Sequence, residues 1–138
     1  MSNVYSRNRK ETGLEYFDVG TELMIELRRV TRNQKVFPKR TFFTDVLPIL
    51  KLFDEMRSYI YAAQSRFPTD EDSLKVRKEY IQRAIEAGEK LHGRVQDSVW
   101  AIETVTPDSV EKVGQLLQRE LGLLRGWKRS SKIQKNRK

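Results

Sequence analysis

One run of apolar residues limits the fold more than any other feature of the chain. Phe42, Val46, Ile49, Phe53, Met56, Ile60, Ala63 and Phe67 follow one another in alternating steps of four and three. That spacing keeps a stripe on one face of an α-helix that packs against other helices. A half-buried strand would show alternation in twos, and no segment does. Phe43, Leu47 and Leu50 widen the stripe, as suits a helix with two buried neighbours. Pro48 lies inside the run and brings no amide N–H, so it predicts a kink or a helix start near Asp45.

Three further segments carry the same period. From Leu14 to about Arg32, the residues Phe17, Gly20, Leu23 or Met24, Leu27 and Val30 share a face. After the break at Pro68, Thr69 or Asp70 can cap a helix whose first turn holds Glu71 and Asp72 at the positive end of its dipole. Its inner positions are Leu74, Ile81, Ala84, Ile85, Gly88, Leu91, Val95 and Ile102. "TVTPDSVEK" then predicts a start with Thr106 as N-cap, Pro107 in first helical position and Asp108 in the first turn. Val110, Val113, Leu117, Leu121 and Leu124 form the fourth stripe. A chain of 138 residues is enough for one core and too short for two. The expectation is an all-α, antiparallel up-down-up-down four-helix bundle. The bundle is expected over residues 12 to 129, with flexible basic extensions at 1 to 11 and 130 to 138.

Several function classes recede on composition. There is no cysteine, hence no disulfide framework and no thiolate metal site. No uncharged apolar run approaches the roughly 20 residues of a membrane-spanning helix, and "MSNVYSRNRKETG" has no apolar stretch of the kind a secretory signal needs. A cytoplasmic protein without membrane attachment is expected. The only histidine, His92, follows Glu89 at the Glu-x-x-His spacing of di-metal helical bundles. Such a site needs a second pair, and the inner stripe through Gly88, Leu91 and Val95 leaves His92 beside it. No serine stands in an activated context and no glycine loop forms. Neither catalysis nor a cofactor is expected.

The cations are grouped, on a chain of net charge +8. Arg28, Arg29, Arg32, Lys35, Lys39 and Arg40 occupy the first connection and its flanks with no acid among them. Arg125, Lys128, Arg129, Lys132, Lys135, Arg137 and Lys138 fill the C-terminus, and Arg7, Arg9 and Lys10 the N-terminus. In an antiparallel bundle the first group and the C-terminal group belong to opposite ends. Cations at helix C-termini complement the dipole, which would account for Arg28, Arg29, Arg32, Lys128 and Arg129 without a ligand. The unopposed tail exceeds what a dipole needs and reads as a phosphate-binding arm. The expected nucleic-acid contacts are Arg28, Arg29, Arg32, Lys35, Lys39, Arg40, Arg125, Lys128, Arg129, Lys132 and Lys135. Base stacking is not expected, since neither group shows interleaved aromatics. The other open reading is a structural or protein–protein adaptor, with Val19, Ile25, Val76 and Trp100 as apolar residues off the inner stripes. At the C-terminus, Gly126 is expected to let Trp127 close the bundle end or a subunit seam.

Three motifs, "FPKRTFF" opening the second helix, "AAQSRFP" closing it and "ELGLLRGWKRSSK" ending the fourth, resemble the accessory variability determinant proteins of diversity-generating retroelements. They also resemble the related group named four helix bundle protein. The likeness covers roughly residues 14 to 132, and Lys39, Arg40, Arg125, Lys128 and Arg129 match basic positions around the motifs. The basic stretches before Leu14 and after Lys132, and Pro48, depart from the pattern. The resemblance implies a non-enzymatic homopentamer that binds a reverse transcriptase and its template RNA, or DNA, in mutagenic retrohoming.

Overall fold

The computed structural model describes residues 14–134. Among them four helices account for most of the chain and no strand occurs. These are α1 Glu15–Arg32, α2 Leu47–Gln64, α3 Glu71–Ala101 and α4 Glu111–Ser130. Short turns of tighter or wider pitch precede two of them, at Lys39–Thr41 and Phe42–Val46 before α2 and at Asp108–Val110 before α4. No helix is long and apolar enough to cross a membrane among the described residues.

Helix starts follow local chemistry. At α3 the Asp70 carboxylate accepts from the Ser73 backbone N–H at 2.8 Å while the Asp70 N–H donates to Ser73 Oγ at 3.0 Å. Two otherwise orphaned donors are satisfied together. Thr106 and Ser109 exchange the same pair of bonds, at 3.0 and 3.2 Å. The fourth helix therefore opens with a 3-10 turn, and its α-helical part begins at Glu111 rather than at Pro107. Pro48 falls in the first turn of α2, where a missing N–H costs least. A Pro48 N–H would have reached the Thr44 carbonyl four residues back, and Arg94 Nη2 of α3 donates to that carbonyl at 3.0 Å instead. The expected break is thus a helix start preceded by a π-turn.

The four stripes meet in one core. Leu23, Ile49, Met56, Ile60, Ile81, Leu91, Leu117, Leu121 and Leu124 have essentially no exposure, and each such side chain contributes about 1.5–3 kcal/mol by leaving water. α2 packs most extensively on α3, α4 lies against both α1 and α3, and α1 touches α2 only lightly. Gly88 makes room in this core: a Cβ there would stand 2.6 Å from Leu121 Cδ2 and 3.0 Å from Met56 Sδ. Three expected core positions lie outside it, among them Phe43, expected to widen the α2 stripe and instead exposed in the π-turn. Phe42 and Phe67, at the ends of the α2 stripe, are exposed, because the π-turn rotates the first off the stripe and the second follows the helix end at Gln64. Val19, expected off the inner face, is buried.

The ends of the fold are tied by specific bonds. Thr104 Oγ1, just past α3, donates to the Val36 carbonyl at 2.7 Å. Gln134 N–H donates to the Pro68 carbonyl at 2.8 Å, and Arg119 pairs with Glu15 across α4 and α1 at 2.6 Å. Trp127 stacks on Tyr16 with ring centroids 4.2 Å apart and planes 15° from parallel. The Arg77 guanidinium lies 5.3 Å from the indole centroid, and its Nε donates to the Ala63 carbonyl at 3.0 Å, one of the last carbonyls of α2, which have no helical partner. α4 runs straight through Gly126 and Trp127. A Cβ on Gly126 would meet only Arg129 Nη2, at 3.9 Å, so the indole closes this end without needing the glycine.

Candidate nucleic-acid interface

The first basic group is mounted on a tightly held connection. Asn33 ends α1, its side chain accepting from the Lys35 N–H at 3.0 Å and its carbonyl accepting from Val36 and Phe37 at 2.9 and 2.8 Å. Phe37 is buried and anchors the loop to the core. Thr41 bonds the Pro38 carbonyl twice, through N–H at 2.8 Å and hydroxyl at 2.6 Å. The backbone turns are thereby fixed from within. Arg28, Arg32, Lys35, Lys39 and Arg40 project from this frame, all exposed. None of them makes an ion pair with another described residue. Arg29 differs: its Nε and Nη2 grip both oxygens of Glu26 at 3.0 and 2.5 Å. The Arg29 hydrogen bond holds the Glu26 carboxyl below the usual carboxylate range, against the opposing effect of burial.

The C-terminal group is more occupied. Arg125 pairs with Glu89 of α3 at 2.7 Å, and Lys128 Nζ donates to Gln82 Oε1 at 2.9 Å. Arg129 and Lys132 are exposed. Lys135, Arg137 and Lys138, like Arg7, Arg9 and Lys10, lie outside the described residues. Exposed ion pairs are worth about 0–1 kcal/mol, so a phosphate could displace Glu89 from Arg125 at small cost. The pairing also takes up the carboxylate of the Glu89–His92 spacing, and no cluster of three or more His, Cys, Asp or Glu able to hold a metal occurs among the described residues. The first basic group neighbours the C-terminal end of α3 through Thr104. The second runs from the middle of α3, at Glu89, toward the loop before it, at Pro68.

Aromatic side chains accompany the first group, contrary to expectation. A cleft of about 540 Å³ is lined by Arg32, Phe37, Lys39, Phe42, Phe43 and Val46, with no acid among its described lining residues. Phe43 is 77% exposed and Phe42 42%, and the two rings meet edge to face at 5.0 Å. The sequence "PKRTFF" already interleaves cations and rings. Its aromatics read as core because the four-three stripe was extended through Phe42, and the π-turn is what breaks that extension.

A second set of residues escaped sequence reasoning altogether. Glu120 is buried, at 0% exposure, in the middle of α4, and neither carboxyl oxygen has a hydrogen-bond partner among the described residues. Burial pushes its pKa up to about 8, with the charge of Arg57 opposing. Arg57 of α2 is buried as well and reaches the Phe17 carbonyl and Thr21 Oγ1 of α1 at 3.4 Å each. Its guanidinium lies 4.6 Å from the Phe17 ring centroid. Gly20 completes the arrangement, since a Cβ there would stand 2.5 Å from Arg57 Nη1 and 2.9 Å from Glu120 Oε2. One signal was available: Val110, Val113, Leu117, Glu120, Leu124 and Trp127 form an unbroken alternation of threes and fours, which places an acid on the inner stripe. The set links α1, α2 and α4 through side chains that are themselves buried, which makes it part of the packing of the fold. Compared with protein-family profiles, with curated proteins and with solved structures, the chain matches none.

Proposed function

We propose that this chain is a non-enzymatic, oligomeric nucleic-acid-binding protein, an accessory to a reverse transcriptase and its template RNA in the manner of the accessory variability determinants it resembles. The observation that carries the reading is the acid-free connection from Arg28 to Arg40, of whose cations five have no ion-pair partner among the described residues and stand on a hydrogen-bonded frame. Fixed cations of one sign release counterions from a phosphate backbone and steer it over a distance. The proposal takes the four helices as an antiparallel up-down-up-down bundle, for which the Thr104 to Val36, Gln134 to Pro68 and Tyr16 to Trp127 contacts speak. A homopentamer is the assembly the resemblance implies, in a protein whose composition reads as cytoplasmic.

Binding carried by phosphates should weaken linearly in log salt, by about 0.7–0.9 per phosphate neutralised. Fluorescence anisotropy of a labelled RNA across a salt series measures this directly, and no binding at low salt would refute the proposal. Copurification with the reverse transcriptase of such an element tests the partner, and sedimentation tests the subunit number. An adaptor without nucleic acid is the second reading, favoured by the exposure of Trp100 and Ile25. An oligomer indifferent to RNA and DNA at low salt would establish that alternative.

A further inference from the structure

We infer that the cleft at the start of α2 holds an unpaired RNA base, with the exposed ring of Phe43 as its stacking platform and Arg32 and Lys39 on the adjoining phosphates. Resting on the nucleic-acid reading above, this adds the strandedness of the ligand and the place where bases, not only phosphates, are held.

Three observations converge. Phe43 and Phe42 are among the most exposed large apolar side chains described, and their edge-to-face contact at 5.0 Å and 83° fixes one ring against the other. The pitch change of the π-turn directs them outward while Val46 in the same turn stays buried; such local π-turns recur at functional sites. The cleft they line, about 540 Å³, falls within the roughly 300–1,000 Å³ usual for small-ligand pockets. Its cations are Arg32 and Lys39, its amide Gln34, and no described acid lines it. Cationic grooves that present rings are how single strands are bound, because every base has a stacking face once it leaves its pair.

Charge decides the occupant. A second copy meeting this face about a two-fold axis would set Arg32, Lys35, Lys39 and Arg40 against the same cations, and one meeting it with another face would still bring a chain of net charge +8, whereas a polyphosphate strand is drawn to it. Trp100 provides the contrast. It is 90% exposed and edges a cleft of about 340 Å³ with His92 and Val99, but Asp97 and Glu103 flank it in the chain. An apolar surface beside acids repels the backbone that stacking would have to bring along.

The test compares the full-length protein's affinity for an oligouridine of about 12 nucleotides with that for an abasic ribose-phosphate oligomer of equal length. Wild type is expected to favour the oligouridine on the order of ten-fold. Phe43→Ala should remove that preference while leaving the abasic affinity and the salt slope unchanged, and Phe43→Trp should restore it. Arg32→Gln with Lys39→Gln should weaken both oligomers alike. The inference is overturned if Phe43→Ala retains the preference, if Trp100→Ala removes it, or if Phe43→Ala alters sedimentation and not the preference. Failure of both oligomers to bind wild type at low salt would instead bring down the nucleic-acid reading itself. Because Phe43 contributes little to the core, an unchanged melting temperature checks that the variants remain folded.

Discussion

Glu120 and its neighbours turn a stability question into a pH question. Its ordinary pKa is 4.5 and the folded chain pushes it to about 8, so between those values the native state holds a proton that the unfolded chain has released. The unfolded state then binds fewer protons, and this residue's contribution to stability falls as pH rises through that window, levelling off above the folded pKa. The slope is at most about 1.4 kcal/mol per pH unit. Glu120→Gln keeps the shape and removes the titration. Urea midpoints for the two proteins should diverge between about pH 5 and about pH 8 in favour of the variant; parallel curves would mean that Glu120 titrates normally. Two glycines allow a companion test. Alanine is worth up to about 1 kcal/mol over glycine in a helix, and Gly122, with nothing within 4 Å of an added Cβ, should gain it on Gly122→Ala. Gly88→Ala gains the same propensity but drives a methyl against Leu121 and Met56, at about 1–3 kcal/mol for overpacking. The clash outweighs the propensity, and denaturant titration should show a net loss of about 1 kcal/mol.

Among the elements, α4 shows most clearly how a stripe serves two ends. Its apolar positions secure the core, and the last residue of the same alternation, Trp127, covers the end of the bundle against Tyr16 and Arg77. Trp127→Ala should remove about 2–4 kcal/mol, part burial and part ring stacking, read as a lower urea midpoint, and should also expose Tyr16 to quenchers. Elements were legible wherever a period and a punctuation residue agreed. The capping at Asp70, the break at Pro68 and the start imposed by Pro48 followed from local chemistry that tertiary packing had no cause to override. The π-turn was not legible. A change of pitch over Phe42–Val46 leaves composition untouched and only rotates which side chains face out, so Phe42 read as core until the backbone was known.

For the whole molecule, the consequential property is where unpaired charge remains. Charge counting favoured the C-terminal tail as the phosphate-binding arm; among the described residues it is the first connection that keeps most of its cations free, Arg29 alone pairing with Glu26, while Arg125 and Lys128 are bonded to α3. Neutralising Arg32 or Lys39 should each reduce the magnitude of the salt slope of RNA binding by about one unit. Arg125→Gln should reduce it less, because Glu89 already offsets that charge, and anisotropy titrations over a salt series compare the three variants. What the sequence by itself determined was the all-helical class, the four helices and the main limits between them. These depend on hydrophobic period, proline and capping residues, all properties of near neighbours in the chain. What only the tertiary structure decided was which charges are spent, which aromatics face solvent and which acid is buried. Glu89 lies 36 residues from Arg125, Gly20 and Arg57 meet Glu120 from two other helices, and no local pattern brings such partners together. Their energies depend on distance and on water exclusion, and both exist only once the helices have packed.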